Sequence, residues 1–323
     1  MANTVLVAGG GGFIGSHLCD SLIEDGHRVY CLDNFCTGRR RNVAHLLDHP
    51  RFTLLEADLL DDPDLPPVDH IYQLASRASP LDFESDPIHI ARTNAEGTRM
   101  LLDHAVDCDA RLLFASTSEV YGDPEVHPQD ESYRGNVNVR GPRACYDEAK
   151  RFGEALCVSY GAQHGVDTRT VRIFNTYGPR MRADDGRVVP NFITQALRGD
   201  PLTVHGDGSQ TRSFCYVSDT VRGLRALMET EGIDGEVVNV GQENEVTIRE
   251  FADIVCEVTG AGSSVTYEPR PTDDPEVRRP VIEKARDLLG WEPQVSMRDG
   301  LRMTADHFRE TLDIDLDQAV VVD

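Results

Sequence analysis

A short apolar run, Thr4-Val5-Leu6-Val7-Ala8, passes straight into four glycines, Gly9 to Gly12, and then into a stretch with helical spacing. In that stretch Ile14, Leu18 and Leu22 recur on one face. A second apolar run, Arg28-Val29-Tyr30-Cys31-Leu32, follows and ends at Asp33. Strand, glycine turn, helix, strand is the opening of a parallel sheet. The alternation continues, with strands expected over 52–57, 70–75, 111–116 and 168–174 and helices over 87–106 and 143–164. The fold class read from this is α/β, a Rossmann-type doubly wound parallel sheet. After Gly178-Pro179 the elements shorten, and Gly and Pro become more frequent. Residues 1–178 therefore read as a dinucleotide-binding domain, with 215–242 returning to it. Residues 179–323 read mainly as a smaller C-terminal substrate lobe. The acidic tail from Asp313 is expected to fray.

Composition narrows the partners. A formal net charge of −23 argues against nucleic acid, which wants a basic face. An anionic ligand would then need locally placed positive charge. Lys150 and Lys284 are the only lysines, so arginine must supply most of it. A GC-rich genome and adaptation to high salt both produce that bias, and composition does not separate them. No apolar run is long enough to span a bilayer, and Met1-Ala2-Asn3-Thr4 begins no signal-peptide pattern. A soluble, cytoplasmic protein without a membrane partner is expected. The eight cysteines form no C-x-x-C pair and no metal-ligand spacing, so buried reduced thiols and no metal are expected. Cys19 and Cys31 look like core positions.

Gly9, Gly12 and Gly15 form G-x-x-G-x-x-G, a variant of the dinucleotide fingerprint. Glycine allows the tight turn and lets backbone N–H groups and a helix N-terminus meet a pyrophosphate. A purely structural turn is the plainer alternative. Asp33 ends the second strand, where a carboxylate can accept ribose hydroxyls and repel a 2′-phosphate. That favours NAD over NADP, although Arg39, Arg40 and Arg41 stand nearby. Asp58 is a candidate for the adenine amine or simply a cap.

Tyr146 and Lys150 are four residues apart and share one helix face. A phenol with its ordinary pKa of about 10 is a poor base at neutral pH. A neighbouring ammonium and a cationic nicotinamide would both stabilise the phenolate and draw that value down. Ser116-Thr117-Ser118-Glu119 ends a strand, where open α/β sheets bind ligands. A helix N-cap box is the other reading of that segment.

Over almost the whole chain these residues resemble the extended short-chain dehydrogenase/reductases. The resemblance rests on Gly9 to Gly15, Asp33-Asn34-Phe35, Ser116 to Gly122, and Tyr146 with Lys150. Three longer segments, 142–148, 172–181 and 206–214, look specifically like UDP-glucuronate decarboxylases. The resemblance implies NAD as cofactor, held by Gly9, Gly12, Phe13, Ile14, Gly15, Asp33, Asn34, Phe35, Thr37, Gly38, Asp58, Leu59, Leu74 and Ala75 together with Tyr146 and Lys150. It implies oxidation of UDP-glucuronate at C4, loss of CO2, and return of hydride to give UDP-xylose. Thr117 would then hydrogen-bond the C4 oxygen beside Tyr146, while Ser118 and Glu119 serve the decarboxylation half. Arg278 would face the sugar carboxylate or protonate the enolate, with Arg279 beside it as the competing assignment. Asn175, Val188, Arg180 and Arg212 would hold the nucleotide diphosphate and sugar. A homodimer built on helices near Pro87 and Arg143 is also implied.

Related 4,6-dehydratases carry Asp-Glu where this chain has Ser118-Glu119, and 4-epimerases usually lack a carboxylate at the second position. Those two activities are the runners-up. A non-catalytic NAD-binding protein would be expected to lose Tyr146 or Lys150, and both are present. An interaction protein using the acidic surface also fits the charge. The chain departs from the family pattern at Ser76-Arg77, Phe83, Val139-Arg140 and His205. At Phe83 a tyrosine hydroxyl is replaced by hydrogen, and Arg77 could add a carboxylate contact.

Overall fold

The computed structural model describes residues 2–271 and 274–319, with side chains through residue 312. Its main sheet has seven strands: β1 (Thr4–Ala8), β2 (Arg28–Asp33), β3 (Phe52–Glu56), β4 (His70–Gln73), β5 (Arg111–Thr117), β6 (Thr168–Ile173) and β7 (Val237–Val240). They lie in the order β7-β6-β5-β4-β1-β2-β3, and every pairing is parallel. Helices cover both faces, so Val5, Leu6 and Val7 are all fully buried, as are Leu112, Leu113 and Phe114. Strand order reverses between β1 and β4, and the crevice at the carboxyl ends of those strands is where such a sheet takes a ligand. β3 and β4 stop earlier than the apolar pattern extends. The residues that follow them, Ala57, Asp58, Leu74 and Ala75, turn into that crevice instead.

The helix expected over 87–106 is not uniform. Pro87–Arg92 passes through a π turn at Thr93–Gly97 before resuming as Thr98–Cys108. Thr93 and Thr98 hydroxyls bond back to the carbonyls of His89 and Asn94, at 2.8 and 2.7 Å. Asn94 Nδ2 donates to Ile90 O at 2.9 Å, and such side-chain competition loosens the regular ladder.

The later part of the chain divides. Val237–Val240 forms the edge of the main sheet beside β6. Residues 215–227 do not join that sheet: Cys215–Tyr216 pairs with Thr176–Tyr177, and the helix Val217–Glu229 follows. Two more small sheets join Leu202–His205 to Val265–Glu268 and Thr211–Ser213 to Glu245–Thr247. Phe192, Phe214 and Phe251 form a stacked aromatic core beneath them, with Phe214 and Phe251 centroids 4.4 Å apart.

The helix Met297–Ala319 continues past Asp313, where fraying was expected, and 320–323 lie outside the described residues. All eight cysteines are free, but Cys36, in the loop after β2, is exposed rather than buried. Among the described residues no helix is long and apolar enough to cross a membrane.

Candidate active site

One cavity of about 680 Å³ opens across the carboxyl ends of the strands. Its first half is built of backbone. Gly9 has φ of 82°, and a β-carbon there would lie 2.8 Å from Ala75 N. At Gly15 it would lie 2.1 Å from Gly9 O, so the loop closes only with glycine. The helix α1 (Phe13–Glu24) starts after Gly12 with no side-chain cap, leaving a site suited to an anion.

Asp33 accepts from Gly11 N at 2.8 Å and Phe35 N at 2.7 Å. Burial raises its carboxyl, and these amides work against that rise. Of the nearby arginines, Arg40 pairs with Glu56 and stacks over Phe35, and Arg39 lies 3.7 Å from Asp184. Asn34 Nδ2 and His89 Nε2 both meet Asp58 Oδ2, at 2.7 and 2.8 Å. Asp58 also caps a short turn through Leu60 N, so it is a cap and a cavity residue at once. Phe13, Ile14, Thr37, Leu59, Leu74 and Ala75 line the cavity as well. Phe35 and Gly38, assigned to the cofactor from sequence, do not line it. The Phe35 ring packs against the α-carbon side of Gly11, and Gly38 lies against Asp33 and the Gly11 carbonyl. Both shape the loop from behind.

The chemical centre joins β5 to the helix Ala144–His164. A β-carbon at Gly153 would stand 2.4 Å from the Phe114 ring, so glycine there lets the helix approach the strand. Lys150 Nζ, buried, donates to Ala115 O at 2.6 Å and sits 5.7 Å from the Tyr146 ring centroid. Burial drives the Lys150 ammonium down to about 7, with Glu154 opposing. Burial likewise pushes the Tyr146 phenol well above its ordinary value. The Thr117 hydroxyl and Arg187 counter this, while the Glu119 and Asp147 charges add to it. Sequence reasoning expected Lys150 to lower the phenol. In the structure burial dominates, and the charges that act most on Tyr146 are Glu119, Asp147 and Arg187, whereas Lys150 Nζ is turned to the Ala115 carbonyl. Phe83 stacks on Tyr146 with centroids 5.1 Å apart, so the position that lacks a hydroxyl packs against the phenol ring.

Thr117 begins a short helical turn, Ser118–Tyr121, and accepts from Glu119 N at 3.2 Å. Thr117 caps this turn without the reciprocal bond of a capping box, and Thr117, Ser118 and Glu119 also line the cavity. Glu119 lies between two guanidinium groups: Arg143 Nη2 at 2.6 Å from Oε2, and Arg278 on Oε1. Burial alone would raise this carboxyl, but the Arg278 and Arg143 charges overcome it and hold it far below the usual carboxylate range. Arg278 lines the cavity and Arg279 does not; the Arg279 backbone amide donates to Gln129 Oε1 at 3.0 Å.

Asn175, Val188, Arg180 and Arg212 line the far side. Arg212 pairs with Asp274 at 2.8 Å and Arg180 with Asp20 at 2.7 Å. Arg180 Nη1 and Arg278 Nε are buried with no hydrogen-bond partner, donors that an anionic ligand would satisfy. Arg77 and His205 reach the cavity too, Arg77 lying 3.5 Å from Asp86; Val139 and Arg140 are exposed. Three residues escaped the sequence reading. Arg143 was legible in principle, three residues before Tyr146 and so on its face. Arg187, paired with Asp185 at the cavity wall, and buried Asp147 had no local signal.

A glycine-cradled anion site opposite a Tyr–Lys pair and an arginine-clamped glutamate defines a class. The chain belongs to the NAD dependent epimerase/dehydratase family, whose model matches residues 5–241. It is 52% identical over 309 residues to UDP-glucuronic acid decarboxylase 1 of Xenopus tropicalis, covering 96% of this chain and 73% of that protein. It is 50% identical over 311 residues to UDP-glucuronic acid decarboxylase 3 of Arabidopsis thaliana, covering 96% and 90%. Among solved structures, UDP-glucuronic acid 4-epimerase from Bacillus cereus in complex with UDP-glucuronic acid and NAD superposes with TM-score 0.88 at 30% identity, over 95% of this chain and 99% of that one. dTDP-glucose 4,6-dehydratase from Streptomyces venezuelae gives 0.87 at 30%, over 96% and 98%.

Proposed function

We propose that this chain decarboxylates UDP-glucuronate to UDP-xylose through a UDP-4-keto sugar, with NAD reduced and reoxidised within one turnover. The observation that carries this reading is Glu119, clamped by Arg278 and Arg143, in the same cavity as Tyr146, Lys150 and Thr117. The glycines at 9, 12 and 15, the capless start of α1, and Asp33 with Arg40 paired to Glu56 fit NAD. When bound, NAD supplies a hydride acceptor and a positive charge beside the Tyr146–Lys150 pair. That charge opposes the burial that keeps the phenol protonated.

Tyr146 takes the C4 hydroxyl proton, and Thr117 holds the same oxygen. Once C4 is a ketone the carboxylate is β to a carbonyl, so CO2 leaves with its electrons delocalised into an enolate. Arg278 faces that carboxylate or protonates the enolate at C5, Glu119 and Ser118 serve the loss of CO2, and C4 regains its hydride while its oxygen takes back the proton held by Tyr146. Asn175, Val188, Arg180 and Arg212 hold the nucleotide diphosphate and sugar, with guanidinium donors matched to phosphate. On this reading residues 1–178 with β7 carry the cofactor and 179–323 mainly the nucleotide sugar.

A homodimer through the two long helices is part of the proposal, supported by exposed Ile88, Phe152 and Val158, which are 73%, 53% and 63% accessible. A cytoplasmic location accords with eight free cysteines. The test is mass spectrometry of products formed from UDP-glucuronate and NAD. Loss of one CO2 is expected; an isomer of unchanged mass would replace this reading with epimerisation.

A further inference from the structure

Beside the clamped glutamate lies a second carboxyl group that the chemistry above does not use. Asp147 follows Tyr146 directly and is 5% exposed. Its Oδ1 is buried with no hydrogen-bond partner, and its Oδ2 meets one cation only distantly, Arg143 Nε at 3.9 Å. That guanidinium is already committed, through Nη2, to Glu119 at 2.6 Å. The charged groups facing Asp147 are Glu119 from the turn after β5, Arg143 and Glu148 from its own helix, and Arg278 from the C-terminal lobe. Both guanidinium groups are therefore engaged by the other carboxylate. A buried carboxylate with one oxygen bare and its nearest cation shared is poorly compensated, and accepting a proton is the ordinary way out.

We propose that the sugar binds with Asp147 in its protonated form, so that the Glu119–Arg143–Arg278 cluster carries net positive charge and selects a sugar bearing a carboxylate. With Asp147 neutral, one glutamate and two arginines sum to +1. With Asp147 ionised the sum is zero, and a second anion stands beside the place an incoming carboxylate takes. Burial, reinforced by the Glu119 charge, raises the Asp147 carboxyl to about 7, which agrees with the geometry. The net positive charge is needed because the chain as a whole is strongly acidic. Asp147 is thus a positioning residue, acting through Arg143 and Glu119 rather than by touching substrate. This inference rests on UDP-glucuronate as substrate.

Its test compares KM for UDP-glucuronate with the competitive Ki of UDP-glucose, at about pH 6 and about pH 8, in the NAD-loaded wild-type and Asp147→Asn proteins. The two ligands share the diphosphate, so their ratio isolates the carboxylate. In the wild type the ratio of KM to Ki is expected to rise roughly tenfold over that range, because ionising Asp147 opposes binding of the second carboxylate. In Asp147→Asn the ratio stays low and flat. The Ki of UDP-glucose reports whether the variant is folded, and the wild-type profile stands without the variant. A pH-independent ratio in the wild type, or the same rise in Asp147→Asn, overturns the role of Asp147. Absence of UDP-glucuronate turnover at every pH would instead overturn the proposed function.

Discussion

The cofactor half and the sugar half of the cavity are made of different material. On the cofactor side the shape comes from missing side chains: Gly9 and Gly15 close the loop because a β-carbon at either would overlap backbone. On the sugar side it comes from arginines already paired with acids, Arg143 and Arg278 with Glu119, Arg212 with Asp274 and Arg180 with Asp20. Backbone geometry tolerates no adjustment, whereas ion pairs exchange partners when a ligand arrives. The comparison teaches how a chain of net charge −23 can hold a dianionic diphosphate. Arg143, Arg180, Arg212 and Arg278 line the cavity, each paired with a local acid that an incoming anion would displace or share.

Tyr146→Phe, at the seam between the halves, should have the largest effect. We expect kcat to fall about a thousandfold with NAD affinity nearly intact, measured by steady-state rates and by calorimetric NAD titration. Rates close to wild type would remove Tyr146 as the base. Gly15→Ala attacks the rigid half alone. The β-carbon 2.1 Å from Gly9 O should weaken NAD binding about a hundredfold and destabilise the fold by about 3 kcal/mol. Unchanged NAD binding would show that the loop yields after all.

Glu119→Gln probes the adaptable half. We expect NAD binding to survive, kcat to drop by about tenfold to a hundredfold, and the 4-keto sugar to accumulate in product analysis. Undiminished xylose formation would exclude Glu119 from the reaction. The last prediction reads stability rather than activity and concerns Lys150, whose folded pKa of about 7 lies below the ordinary 10.5. Between those values the unfolded chain binds more protons than the folded one, so unliganded stability rises with pH. The gain is up to about 1.4 kcal/mol per pH unit across that window, and the full burial penalty is felt below about pH 7. Lys150→Met should flatten this slope in denaturant titrations; parallel slopes for both proteins would refute the burial argument.

Much of the first half was legible because its signals are local. Apolar runs mark β1 and β2, glycine marks the turn between β1 and α1, and the spacing of Tyr146 and Lys150 follows from the helix period alone. The π turn at Thr93–Gly97 was not legible, because it depends on hydroxyl and amide side chains choosing particular carbonyls. Phe35 and Gly38 were assigned by their place in a motif, whereas the folded loop turns them behind the surface that a ligand would meet.

The sequence by itself determined the parallel sheet, the glycine cradle and the pairing of a phenol with an amine, since each rests on the conformational preferences of neighbouring residues. Only the tertiary structure decided that Arg278 rather than Arg279 meets Glu119, that Arg143 joins it, and that Asp147 shares its near cation with Glu119 and keeps one oxygen unbonded. It also set the sign of the Tyr146 shift. Charge and desolvation depend on which distant residues are brought together and how much water is excluded, and neither quantity is written in any local run of the chain.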